Sequence, residues 1–187
     1  MIISRKNKNS VYWITVIIIL SLLPFVVPNL YQMHLINIIC INIIMAIGLN
    51  IVKGFAGQVT VAHIGLYAMG AYSSAILAIN YDLTFWLALP GAILITVIAG
   101  AIVGVPSFRL QGPYLALATL AFSESLRIYI SVNTDLGATI GISNIPSPKV
   151  FGFSFDNAFH YYYIVIPFTL TSIYFSFKIL KSKLGRA

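Results

Sequence analysis

Of the 187 residues 59% are hydrophobic and 8% charged, against roughly 25% charged in an ordinary soluble domain. A water-soluble fold cannot hide that much apolar surface, whereas a bilayer accommodates it in helices of about 20 apolar residues whose backbone groups are all satisfied internally. The formal charge of +7 would suit a nucleic-acid binder only if the basic residues shared one polar face; they flank apolar segments instead, which excludes that partner and points to membrane topology.

Apolar runs at 11–27, 33–52, 61–79, 84–105, 113–131 and 160–179 predict an all-α, polytopic transmembrane helical bundle of about six spanning helices, with 1–187 forming a single transmembrane domain. Arg5, Lys6 and Lys8 precede the first run, but its length and the lack of a small-residue cleavage site distinguish it from a signal peptide. Lys and Arg favour short cytoplasmic loops. An inside N-terminus places Arg5, Lys6, Lys8, Lys53, Arg109, Lys178, Lys181, Lys183 and Arg186 inside and leaves Arg127 and Lys149 towards the outside, so both termini are expected in the cytoplasm.

The second run carries Cys40, the one cysteine, in apolar surroundings, which excludes a disulfide framework and a Cys-rich metal site. Between the second and third runs, Lys53 to Thr60 contains Gly54, Gly57 and Gln58. This segment is either an irregular stretch lining a cavity or a plain cytoplasmic turn in which glycine supplies unusual backbone angles. His63 opens the third run, where an interfacial hydrogen bond to a neighbouring helix competes with solute contact as its role. Farther along, Gly70, Ser74 and Ala78 recur every fourth residue, and Gly100 and Gly104 repeat the device in the fourth run, giving smooth faces for close helix approach. In the fifth run Glu124 has Arg127 three residues on, near enough to form an intramembrane ion pair. Val132 to Phe159, with Gly137, Gly141, Pro146, Pro148 and Gly152, is expected to be a turn-rich external loop.

The sequence contains no G-x-x-x-x-G-K-[ST] phosphate loop, no H-E-x-x-H helix and no G-x-S-x-G elbow, so no catalytic residues, metal ligands or cofactor are assigned. Active transport through such a chain would draw on an ion gradient or on partner ATPases. A gradient-driven carrier needs titratable groups on the ion path, and Glu124, already beside Arg127, is a poor supply.

Three blocks in order carry a resemblance. Residues 48–63 read G-L-N-I-V-K-G-F-A-G-Q-V-T-V-A-H, 85–90 read F-W-L-A-L-P, and 109–127 read R-L-Q-G-P-Y-L-A-L-A-T-L-A-F-S-E-S-L-R. They resemble the permease subunits of ATP-binding-cassette importers for branched-chain amino acids, of the high-affinity, M type that serves leucine, isoleucine and valine. Ala62 stands where that pattern has glycine before the histidine, and residues 139–142 replace a loop usually reading G-x-N-G-[LI]. The resemblance implies a multi-pass protein of the bacterial plasma (inner) membrane that works by alternating access. Its implied partners are a second permease subunit, two cytoplasmic ATP-binding subunits and an external solute-binding protein. Urea or short-amide importers are the nearest alternative, a gradient-driven secondary transporter or a non-transporting scaffold the more distant ones. Gly54, Gly57, Gln58 and His63 are expected to shape the path. Lys183, Gly185 and Arg186 look like the opening of the family's ATPase-coupling segment, and since family members are longer, the chain is expected to be truncated at its C-terminus and, alone, not to couple ATP hydrolysis to transport.

Overall fold

The computed structural model describes residues 20–25, 27–57, 60–107, 109–110, 112–150 and 153–180. The first expected span, 11–27, lies mostly outside them; its described part, α1 (20–25), is helical. Then follow α2 (Leu30–Ala56), α3 (Ala62–Asn80), α4 (Phe85–Ser107), α5 (Pro113–Val132) and α6 (Ala158–Leu180). Five of these, α2 to α6, are long and apolar enough to cross a membrane. The protein is therefore an all-α, polytopic membrane fold.

Among the described residues, an extended feature falls in the segment expected to be a turn-rich loop. There a 3-10 turn (Thr134–Leu136) is followed by a two-residue antiparallel ladder of β1 (Lys149–Val150) and β2 (Phe153–Ser154). Asn133 starts the turn by accepting the Asp135 amide on its side-chain oxygen, and Gly137 ends it with φ 79° and its N–H on the Thr134 carbonyl.

The chain forms two compact units. The first combines the stretch up to Ile44 with Asp156–Phe175. Its core is Met33, Cys40, Tyr162 and Val165, where α2 and α6 meet. Polar contacts add to this apolar core. The Asn37 amide donates to the Ala158 carbonyl at 2.9 Å, and the Tyr162 hydroxyl donates to the Leu20 carbonyl at 2.9 Å, tying the described part of α1 to α6.

The second unit holds Met45–Phe155 and the residues from Ser176 onward. Its packing is small inside and large outside. Ala62, Ala75, Ala78, Ala88 and Ala92 are buried, while Leu87, Ile93, Leu94, Val97, Ile98 and Ile102 stand exposed along α4. In lipid, bulky apolar side chains gain nothing by facing inward, and helices associate by bringing backbones close through small residues. A Cβ on Gly70 would lie 3.2 Å from the Thr96 hydroxyl, on Gly91 2.8 Å from Leu77, and on Gly100 3.7 Å from Leu66. These pairs run oppositely in number, so α3 and α4 are antiparallel. Of the small-residue positions singled out in the sequence, Gly70 and Gly100 serve this seam and Ala78 is buried, whereas a Cβ on Gly104 would have no described atom within 4 Å. Between α3 and α5 the close approach is at Gly65, where a Cβ would meet the Phe122 ring at 2.8 Å and the Ser123 hydroxyl at 3.1 Å.

That contrast is testable. Gly65→Ala forces the Phe122 ring or α5 to shift and should cost about 1–3 kcal/mol, lowering the thermal midpoint of the purified protein in detergent by several degrees. Gly104→Ala, which meets nothing, should leave it unchanged or raise it slightly through better helix propensity. Equal effects at the two sites would contradict the α3–α5 contact.

Candidate functional site at the start of α3

The segment between α2 and α3 decides where three helices meet. The α2 helix runs past the sequence expectation of 52, so Lys53 and Gly54 belong to its last turn. Gly57 ends it, with φ +60° and its N–H on the Lys53 carbonyl at 3.1 Å, a left-handed cap natural to glycine. Lys53 sits in the last turn, where a cation complements the helix dipole.

The α3 helix then starts at Ala62 without a side-chain cap from Val61. Its first amides would be orphaned, and a neighbouring helix supplies the partners. The Val61 N–H donates to the Thr119 hydroxyl at 3.0 Å, and the Gly65 N–H donates to the Ser123 hydroxyl at 3.3 Å. Ser123 in turn donates to the Val61 carbonyl at 3.0 Å, so its hydroxyl stands between the two ends of what would be the first i→i−4 rung. Thr119 donates back to its own helix, to the Leu115 carbonyl at 2.9 Å. Nearer in sequence, the Thr60 hydroxyl accepts the Ala62 amide at 3.2 Å. Because Val61 meets Thr119 while Gly65 meets Ser123, α3 and α5 run in the same direction and are locked in register. Absence of a Cβ at Gly65 permits the approach.

His63 is half-buried on the first turn of α3. Its Cδ2 and Nε2 lie 3.5 Å from where a Cβ on Gly48 would be, so Gly48 leaves the ring its space against α2. Its Nδ1 is buried with no hydrogen-bond partner among the described residues. Gly54 and Gly57, by contrast, are exposed and have no atom of the described residues within 4 Å of their Cβ positions. Of the path residues read from the sequence, the described ones are placed differently: His63 packs inward and Gly54 and Gly57 are exposed. Gln58 and the coupling residues Lys183, Gly185 and Arg186 lie outside the described residues. Thr119 and Ser123 were not singled out by the sequence reading, although hydroxyls one turn apart on an apolar helix are a readable signal.

On α5 the Glu124 and Arg127 side chains pair through two prongs, Nε to Oε2 at 2.9 Å and Nη2 to Oε1 at 2.5 Å. Within this unit Lys53 and Arg109 lie by the end where α3 and α5 begin, and Asp82 and Asp135 by the end where those helices finish. At the latter end the Trp86 indole donates to the Lys149 carbonyl at 3.0 Å, beside a cavity of about 170 Å³ lined by Asp82, Thr84, Phe85, Pro146 and Lys149.

Apolar spanning helices joined through small residues and a shared helix start define a multi-pass membrane protein. The chain belongs to the branched-chain amino acid transport system / permease component family, whose model matches residues 32–187. It is 38% identical over 152 residues to the "High-affinity branched-chain amino acid transport system permease protein LivM" of Salmonella typhimurium, covering 81% of this chain and 36% of that one. The protein of the same name from Escherichia coli is 38% identical over 150 residues, covering 80% of this chain and 35% of the relative. The chain thus spans about a third of the length of these relatives. No solved structure matches it significantly. As a member of this family it is a multi-pass protein of the bacterial inner membrane.

The α5 hydroxyls make the sharper test of this site. Thr119→Val and Ser123→Ala should each remove about 1 kcal/mol from the start of α3. Hydrogen exchange should show the Val61 and Gly65 amides opening several-fold faster, while Thr119→Ser keeps its amide protected. Unchanged exchange in both variants would mean that α3 does not depend on α5 for its first turn.

Proposed function

We propose that the chain is a membrane-spanning subunit of an ATP-binding-cassette importer for branched-chain amino acids, forming part of the translocation path by alternating access. The observation that carries this is the family match across residues 32–187, which takes in α3, α4, α5 and the shared start of α3. The substrate follows the relatives' names. In this reading hydrolysis falls to two cytoplasmic ATP-binding subunits, in keeping with a sequence that carries no nucleotide-binding motif, and a second permease subunit and an external solute-binding protein complete the assembly. Residues 1–187 act as one transmembrane domain, with both termini cytoplasmic. The clustering of Lys53 and Arg109 at one end supports that orientation, since basic residues favour cytoplasmic loops.

In this reading the 53–63 segment belongs to the inner mouth. Gly57 sets the turn, and Gly54, Gln58 and His63 shape the path. Lys183, Gly185 and Arg186 contribute to the surface on which an ATPase docks.

Affinity purification through a tag on this chain should recover a second permease and ATP-binding subunits. Vesicles holding that assembly should accumulate leucine when supplied with ATP and the binding protein, and should be indifferent to an uncoupler. Uptake abolished by the uncoupler and insensitive to ATP would establish a gradient-driven carrier instead. ATP-driven uptake of urea or short amides without leucine would move the assignment to that class of importer.

A further inference from the structure

Glu124 and Arg127 are the charged residues of α5, and their placement conflicts with a lipid-facing position. The helix runs Pro113–Val132, 20 residues, so at 1.5 Å per residue Glu124 lies about 2 Å from its midpoint. The Arg127 and Glu124 side chains are 67% and 50% exposed. Arginines near a helix end normally extend outward to the interface. Arg127 does the reverse: helical side chains lean towards the N-terminus, and this one reaches back to Glu124, deeper into the span. Charge at that depth, exposed along the helix flank, requires water or polar protein around it.

The helix cannot rotate to hide the pair. Its face towards α3 is fixed by Thr119 and Ser123, and Leu115, Thr119 and Ile130 are buried. The exposed flank with Glu124 and Arg127 also carries Leu117, Leu120 and Ile128. It therefore combines apolar side chains with one neutralised pair of opposite charges.

We infer that this flank of α5 lines the water-filled solute path and that Glu124 and Arg127 receive the head group of a zwitterionic amino acid. The inference rests on the importer reading above and adds to it the contacts. The guanidinium fork of Arg127 matches the solute carboxylate, and the Glu124 carboxylate accepts the solute ammonium. Opening the pair around the solute exchanges one internal salt bridge for two, with no net charge at any stage, so neither the empty nor the loaded path holds an unpaired ion. The closed pair leaves no lone cation or anion to attract a stray counter-ion. Leu117, Leu120 and Ile128 offer apolar surface to a branched aliphatic side chain.

The test uses the full transporter in liposomes, with Cys40→Ala as a background because Cys40 is buried. Glu124→Cys, Arg127→Cys and, one turn earlier on the same flank, Leu120→Cys are treated with a membrane-impermeant thiol reagent with and without saturating leucine. Labelling at these positions, slowed on the order of tenfold by leucine, is expected, as is uptake that Arg127→Lys retains in part and Arg127→Gln loses by about tenfold, the weight of one charge-assisted contact. Leu120→Cys keeps the test open if the charge variants fail to assemble. No labelling, or labelling that leucine leaves untouched, overturns the inference. Failure of the unmodified assembly to import leucine would count against the importer reading instead, and the labelling pattern is scored separately from it.

Discussion

A membrane helix must satisfy its backbone within protein, and its first turn is where that demand is hardest to meet. In α3 the demand is met from outside the helix, by two hydroxyls of α5 that hold the Val61 and Gly65 amides. The same contacts fix the direction, register and closeness of the two helices. Gly65 is bare so that the Ser123 hydroxyl can come within reach, and Thr119 is almost wholly buried as a result. With α3 and α5 aligned, α4 has one way back between their ends, antiparallel to both, and its glycines meet the larger side chains of α3.

This arrangement explains why the buried apolar side chains of α3 and α4 are alanines while leucines and isoleucines of α4 stand exposed. The hydrophobic effect sorts residues by size and polarity only against water; against lipid tails it is indifferent, and close backbone approach decides. Large exposed side chains along α4 are therefore the expected outer surface of such a helix set, available to lipid or to further helices. Position in the chain did not reveal which small residues would be used: Gly100 faces Leu66, and Gly104, one turn on, has none of the described residues within 4 Å of its Cβ position.

The class of fold was legible because span length and hydropathy respond directly to bilayer thickness. The five described spanning helices each overlap a run identified in the sequence, and the ends differ where local chemistry intervenes. α2 continues through Lys53 and Gly54 because nothing in those residues forbids helix, and it stops at Gly57, whose left-handed angle caps it. The loop after α5 folds into a 3-10 turn and a short ladder because Asn133 and Gly137 provide a side-chain acceptor and a left-handed residue. Family membership was legible through long motif blocks. What the blocks did not disclose was how they meet. Val61, at the end of the first block, and Thr119 and Ser123, inside the third, touch one another across 58 and 62 residues, and a linear motif holds no record of that contact.

The polar groups of the spans fall into two kinds, and the difference bears on where a solute passes. Most hydroxyls are satisfied by their own helix: Thr96 donates to the Ala92 carbonyl, Ser107 to Val103, Ser131 to Ile128, Thr169 to Val165 and Ser172 to Phe168. Such a hydroxyl can sit at any depth without a cavity, so its presence says nothing about a path. Groups whose demands exceed what their own helix provides are more informative. Asn37 spends its amide on Ala158 and leaves its oxygen buried, His63 leaves Nδ1 buried, and neither finds a further partner among the described residues. Both are neutral dipoles whose cost a modest rearrangement can offset. The Glu124–Arg127 pair differs in kind, since its two charges satisfy each other and still stand half-exposed near the centre of a span. Only surroundings that contain water or compensating charge make that arrangement stable, which is why the charged flank of α5, more than the glycine-rich turn, marks the side of this protein that faces away from lipid.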